Sequence, residues 1–170
     1  CDTSPPYFTL NELSLENYRT FSKLNPPLRS EVDRMSIVEG ICDGTIDAIS
    51  SDHSPQDQDA KRLPFNQAEF GGVGLETLLP LTLNLVKNKY IKIEKALELL
   101  TINPSKILNL KSGTINEKSE ADISVFNLSK PWKINPESFF GKSKNSPFDG
   151  MLVEGKNIMT FVRGRLVYRL

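Results

Sequence analysis

Ile46-Asp47-Ala48-Ile49-Ser50-Ser51-Asp52-His53-Ser54-Pro55 is a short apolar run that ends in an acidic residue, followed at once by the only histidine of the chain. The run has strand length, mixes isoleucine with small residues, and follows the turn signal Asp43-Gly44. It reads as a strand over 46–51 of a parallel α/β sheet or barrel, where loops at the carboxyl ends of strands converge on one crevice and carry the chemistry. An aspartate there can ligate a metal and can accept a proton from an activated water. The same residues are also good turn formers, since Asp-x-Ser-Pro commonly caps backbone amides and does nothing more. His53 divides in the same way, between a hydrogen-bonded structural histidine, the commoner case, and a ligand. One histidine without a Cys or His partner at ligand spacing cannot build a metal site alone.

The totals narrow the class. The 170 residues suffice for one substantial core and a small second one. Lys plus Arg (21) equal Asp plus Glu (21), so there is no net field to attract nucleic acid or an acidic membrane. Cys1 and Cys42 have no C-x-x-C spacing, which excludes a zinc ribbon and fits a reduced, cytoplasmic protein. No apolar run approaches a membrane span. The chain opens on Cys1 without methionine, and Asp2-Thr3-Ser4-Pro5-Pro6-Tyr7 reads like the middle of a domain, so a fragment is expected.

Working outward from the opening stretch, residues 1–30 read as irregular, with Pro5-Pro6 and Pro26-Pro27 flanking a polar segment. Ser30 is a plausible helix cap, and Met35, Val38 and Ile41 form an apolar stripe that ends at Asp43-Gly44. Residues 54–70 form a polar loop long enough to be an active-site wall or lid. Gly71-Gly72-Val73-Gly74 enters a helix over 75–88 with Leu75, Leu78, Leu79, Leu83 and Val86 on its apolar face, followed by a helix over 93–100 and a helical turn over 104–110. From Gly113 the period changes to two: residues 121–126 and 158–168 read as strands of a small sheet, with a turn at Arg163-Gly164-Arg165 and a polar loop over 142–148 between them. Residues 1–112 thus divide from 113–170.

Two further segments bear on a ligand. The glycine-rich run lacks the Lys-Ser/Thr of a P-loop, so close approach of backbone to a small ligand, or helix packing, is the better reading than phosphate binding. Lys23-Leu24-Asn25-Pro26-Pro27-Leu28-Arg29 presents an amide, two stiffening prolines and a cation. Asn25 could donate to and accept from the amide or imide of a ring, or the segment could be a proline-braced turn capping the next helix.

Taken in order, 23–31 (Lys-Leu-Asn-Pro-Pro-Leu-Arg-Ser-Glu), 43–47 (Asp-Gly-Thr-Ile-Asp), 51–55 (Ser-Asp-His-Ser-Pro), 61–65 (Lys-Arg-Leu-Pro-Phe) and 72–80 (Gly-Val-Gly-Leu-Glu-Thr-Leu-Leu-Pro) resemble the dihydroorotases of the amidohydrolase superfamily. The resemblance continues through Asn103-Pro104-Ser105, Gly113-Thr114-Ile115 and Ala121-Asp122-Ile123 to Lys142-Ser143-Lys144-Asn145-Ser146-Pro147-Phe148, and so covers essentially the whole chain. Asn-Pro-Pro-Leu-Arg and Gly-Leu-Glu-Thr are fairly specific to it, whereas Asp-His-x-Pro is shared with allantoinases and hydantoinases.

The resemblance implies an α/β fold, the C-terminal portion of a (βα)8 amidohydrolase barrel over 1–112 and strands of an accessory β-sandwich over 113–170. It implies zinc, one or two ions with most ligands upstream of this chain, and the reversible cyclisation of N-carbamoyl-aspartate to dihydroorotate in pyrimidine biosynthesis. Asp52 then matches the aspartate that ligates metal and moves the proton between water and the ring nitrogen. Asn25 and the backbone at Phe70 and Gly71 match substrate contacts, and His53 supports Asp52 from behind. Gln56 stands where the family commonly has a histidine that contacts the substrate carboxylate. It can donate a hydrogen bond but carries no charge. The chain alone is expected to be inactive without the upstream half of the same protein, and neither nucleic acid nor membrane is an expected partner. Another cyclic amidohydrolase (allantoinase or hydantoinase) and a non-catalytic subunit scaffolding a transcarbamoylase are the alternatives, and a homo-oligomer is compatible with either.

Overall fold

The computed structural model describes residues 1–170. Strand β1 (Asp2–Thr3) pairs in parallel with β2 (Ala48–Ile49), Asp2 opposite Ala48 and Thr3 opposite Ile49. The ladder is shorter than the expected strand over 46–51. Asp47 N–H to Cys1 O (2.9 Å) and Ser50 N–H to Thr3 O (2.8 Å) extend its hydrogen bonding at either end. Ile46, Ala48 and Ile49 are all buried, as a parallel strand covered on both faces requires.

The first thirty residues are not irregular. The Pro5-Pro6 pair opens helix α1 (Pro5–Thr9), because a proline at the first helical positions lacks only an N–H that would have no intrahelical partner. Two 3₁₀ turns follow, Glu12–Tyr18 and Thr20–Ser22. Helix α2 (Glu31–Asp43) then crosses between the two parallel strands. Its cap is Ser30: the Oγ accepts Asp33 N–H at 3.2 Å while the Asp33 carboxylate accepts Ser30 N–H at 3.2 Å, a reciprocal capping box. Gly44, left-handed at φ +89°, ends the helix. Val38 and Ile41 are buried, whereas Met35 is 37% exposed, so the apolar stripe is narrower than its spacing predicts.

After β2, the loop expected over 54–70 contains a short helix, α3 (Gln58–Arg62). Helix α4 (Leu78–Lys87) starts three residues later than its pattern indicates, and Leu75 is exposed on the turn before it. Its buried residues are Pro80, Leu81, Thr82, Leu83 and Leu85. Consecutive burial means that α4 is covered on more than one side: of the expected stripe Leu83 is buried and Leu78 and Val86 pack against the core, but the stripe misses Leu81 and Leu85. Helices α5 (Ile93–Leu100) and α6 (Ile102–Ile107) follow.

The period-two region forms a three-stranded antiparallel sheet: β3 (Ile123–Lys133), β4 (Leu152–Val162) and β5 (Arg165–Arg169), in that order. Register slips in the first strand between Asn127 and Pro131 admit a proline that has no N–H for the ladder. Arg163 (φ +49°) and Gly164 (φ +75°) make the two-residue hairpin turn, both with the positive φ that a type I′ turn demands. One hydrophobic cluster runs through the molecule, from Val38 and Ile41 of α2 through Ile49, Leu81, Leu85 and Leu99 to Ile134 and Val153. The junction of α4 with β4 is tight. Gly155 sits at φ +92°, and a Cβ there would overlap Leu83 Cδ1.

Two outcomes follow from this packing. Gly155→Ala combines a disfavoured φ with an overfilled contact and should destabilise the fold by about 1–3 kcal/mol, measured by urea unfolding; a loss below the error of the titration would contradict the packing. The Glu31 carboxyl is held down to about 2, first by its hydrogen bonds from Arg34 and then by Asn11. A folded-state value below the ordinary 4.5 adds stability that is complete above 4.5 and lost as pH falls through about 2. Glu31→Gln should therefore be less stable than wild type near neutrality, and the two curves should converge toward pH 2.

Candidate functional site

The carboxyl ends of β1 and β2 open into a cleft of ≈ 610 Å³ whose wall includes Ser4, Tyr7, Asn25, Arg29, Ser50 and Asp52. The parallel pairing explains the gathering: both strands leave the sheet at the same end, so Ser4 and Tyr7 after β1 meet Ser50 and Asp52 after β2. Asp52 is exposed to the cleft and adopts a left-handed backbone, φ +47°, which aspartate tolerates better than bulkier residues. The carboxylates that cap local amides are others: Asp43 accepts Thr45 N–H (2.8 Å) and Asp57 accepts Ala60 N–H (2.9 Å). Asn25 is exposed on the same wall, and the cap of α2 is Ser30, so Asn25 is not that helix's cap.

Tyr7 carries no signal in the sequence beyond being an aromatic after two prolines, yet it shares the cleft with Asp52. Its hydroxyl donates to Pro26 O at 3.0 Å, and burial, with the Asp52 charge second, pushes its phenol up to about 12. Ser4 is a second residue that pattern reasoning passes over. Its Oγ is buried and has no hydrogen-bond partner within the chain, an unsatisfied polar atom on the cleft wall.

The remaining expected site residues stand apart from the cleft wall, Gln56 bonded to Phe70, and His53 and Gly71 bonded to neighbouring backbone. His53 bridges to Gly72, and its Nδ1 accepts Gly74 N–H at 3.2 Å, which holds the glycine-rich run against the end of β2. Gln56 donates from Nε2 to Phe70 O (2.9 Å), so one of its amide protons braces the wall. Phe70 is half-exposed, Gly71 is buried, and Gly71 N–H donates to Lys23 O (3.0 Å), two residues before Asn25. Gly71 has φ +109°, and a Cβ on it would lie 2.8 Å from Ser54 O. This close passage of two backbones is why glycine stands there.

Two buried lysines hold this wall without any carboxylate partner. Lys61 is 1% exposed, and its Nζ donates to Glu69 O (2.8 Å) and Gly71 O (3.0 Å). Burial, then the charge of Lys23, lowers its ammonium to about 8. Lys23 Nζ donates to Ala68 O (2.6 Å) and lies 4.5 Å from the centre of the Phe70 ring. Asn145, from the segment 142–148 that reads as a polar loop, is also buried. Its Nδ2 donates to Gly71 O (3.1 Å), its Oδ1 accepts Gln56 N–H (3.2 Å) and its carbonyl accepts Val73 N–H (3.1 Å).

No three His, Cys, Asp or Glu side chains of the chain converge to hold a metal ion. The cleft offers oxygen donors, the Asp52 carboxylate and the free Ser4 hydroxyl, but no imidazole, since the only histidine is not on its wall. Asp52 fits the part of one ligand in a larger set, and the chain by itself does not complete a zinc site.

The amidohydrolase family model matches residues 10–167. The chain is similar to the dihydroorotase of Desulforapulum autotrophicum, 43% identical over 169 residues that make up 99% of this chain and 39% of the relative. It is similar as well to the dihydroorotase of Anaplasma phagocytophilum, 44% identical over 169 residues, 99% of this chain and 38% of the relative. Among solved structures, the L-hydantoinase of Arthrobacter aurescens matches with a TM-score of 0.92 at 31% identity, over 99% of this chain and 39% of that one. The dihydropyrimidinase of Brevibacillus agri matches with a TM-score of 0.90 at 25% identity and the same coverage. The chain therefore spans about two-fifths of the length of the relatives it matches. No helix is long and apolar enough to cross a membrane. With the family model covering nearly the whole chain and its strand ends opening on a cleft that holds an aspartate, this chain belongs to the amidohydrolase family.

Proposed function

We propose that the chain is the C-terminal part of a zinc-dependent dihydroorotase, with residues 1–112 closing a (βα)8 barrel and 113–170 contributing strands to an accessory sandwich. The observation that carries this reading is the shared cleft at the ends of β1 and β2, where the carboxylate of Asp52 and the amide of Asn25 stand on one wall. Identity above 40% to dihydroorotases along the whole chain supports it.

On this reading the chain's own residues divide the work. Asn25 hydrogen-bonds the ring amide or imide, and the Arg29 guanidinium, exposed on the same wall, offers charge to the ring carboxylate. In the ring-opening direction a water oxygen bonds to the ring carbonyl carbon while Asp52 takes one water proton. The carbon–nitrogen bond then breaks as Asp52 returns that proton to the departing nitrogen, and the second proton leaves to solvent with the new carboxylic acid. Cyclisation runs the same steps in reverse. Zinc, when bound, supplies Lewis-acid polarisation of the carbonyl, with Asp52 among its ligands and the others outside this chain. His53, bonded to Gly74, holds the turn that carries Asp52.

The likeness to an L-hydantoinase at 31% identity favours one second reading, a ring-opening amidohydrolase for a neutral cyclic amide. A substrate panel on the full-length polypeptide separates the two: turnover of dihydroorotate without turnover of hydantoin or allantoin is expected, and the reverse result would sink the dihydroorotase assignment.

Asp52→Asn keeps the size and removes the base, so kcat should fall by about 10²–10⁴-fold with the folded state intact by circular dichroism. A kcat within tenfold of wild type would remove Asp52 from the proposed role. Asn25→Ala should act on KM, raising it by the equivalent of one neutral hydrogen bond, about 0.5–1.5 kcal/mol, with kcat little changed. Unchanged constants would leave Asn25 as a turn residue.

A further inference from the structure

Gly71 is held at both of its backbone groups. Its N–H donates to Lys23 O (3.0 Å), and its carbonyl oxygen receives both the Lys61 ammonium (3.0 Å) and the Asn145 amide (3.1 Å). The Lys61 ammonium also approaches Lys23 O at 3.5 Å, so one buried cation touches the 23–25 segment and the 69–71 segment together. Asn145 adds the third side, since its Oδ1 accepts Gln56 N–H while Gln56 Nε2 donates to Phe70 O. Three pieces of chain far apart in sequence thus meet around one carbonyl. None of the donors lines the cleft.

The chemistry of this junction is specific. A buried carbonyl in irregular backbone needs donors, and an apolar side chain in place of Lys61 would leave Glu69 O without this donor and Gly71 O with Asn145 alone. A buried ammonium without a carboxylate is itself costly, tolerable only where several carbonyl dipoles surround it. The donors are therefore matched to this backbone geometry, in which each carbonyl has a side-chain donor within reach.

We propose that Lys61 and Asn145 are positioning residues which, by donating to the same Gly71 oxygen, set the Phe70–Gly71 backbone relative to the 23–25 segment and so govern affinity for the cyclic substrate more than the rate of its chemistry. The inference rests on the proposed function, with Asn25 on the cleft wall and the 70–71 backbone acting on its segment from behind through Lys23. Lys61 acts while protonated. Burial and the neighbouring Lys23 lower its ammonium and Glu69 opposes them, and at about 8 it remains charged at neutral pH.

The test uses the full-length polypeptide with its metal, comparing Lys61→Met, Asn145→Asp and the double variant. Asn145→Asp keeps the acceptor for Gln56 N–H and the side-chain volume, so it reports on the junction even if Lys61→Met folds poorly. Each single variant should raise KM for dihydroorotate roughly tenfold, the size of one lost charge-assisted or buried hydrogen bond, while kcat falls less and bound metal is unchanged. Because both donors serve one oxygen, the double variant should fall well short of the product of the two effects. Amide hydrogen exchange in the peptide 64–74 should accelerate at least about tenfold in both single variants, while Ile93–Leu100 is unaffected. The exchange readout needs no substrate. If wild type fails to turn over dihydroorotate, the proposed function fails, and exchange alone decides the positioning role. Unchanged exchange at 64–74, a parallel loss of KM, kcat and metal, or fully multiplicative effects in the double variant would overturn the inference.

Discussion

The carbonyl oxygen of Gly71, buried and served by a lysine ammonium and an asparagine amide, is the point on which the wall beside the cleft depends. Irregular backbone cannot satisfy itself as a helix or ladder does, so its polar groups must find side-chain partners once water is excluded. The chain meets that requirement with Lys23 and Lys61, both buried and both donating to main-chain oxygens of residues 66–71. Glycine at 71 is the complementary condition. Only without a Cβ can the backbone pass Ser54 closely enough to present its carbonyl to both donors.

The second organising element is the parallel pair of β1 and β2 joined through α2. Its ladder is two residues long, too little to be stable alone. It is held by the hydrophobic cluster that takes in Ile41 and Val38 of α2, Ile46 and Ile49 beside it, and Leu81, Leu85 and Leu99 of the later helices. That cluster continues through Ile134 and Val153 into the antiparallel region, and Gly155 lets Leu83 seat against β4. The cleft is thus framed by an ordinary apolar core, with polar chemistry confined to the ends of the strands.

The cleft and the wall answer different needs. Asp52, Asn25, Tyr7 and Arg29 present charge and hydrogen bonds to a common space. Gln56, Lys61 and Asn145 hold backbone at a fixed spacing behind it, their side chains committed to main-chain groups around Gly71.

Much of this was legible in the sequence. The cap at Ser30, the end of α2 at Gly44, the helix over 93–100 and the hairpin at Arg163-Gly164 are local, and each rests on a side-chain or φ preference that acts over a few residues. Asp52 at the end of a buried strand was legible for the same reason, from an apolar run closed by a turn-forming carboxylate. What only the tertiary structure decided depends on contacts across the chain. The opening segment reads as irregular until β2 supplies its partner strand, and the buried face of α4 is wider than its stripe because neighbours cover it on more than one side. Lys61 and Asn145 look like surface residues because charge and amide groups ordinarily are, and no local pattern around either marks the carbonyl that it will meet. Burial of a polar group is settled by its partner. That partner is fixed only when Lys23 and Asn145, 48 and 74 residues away from Gly71, are folded against it.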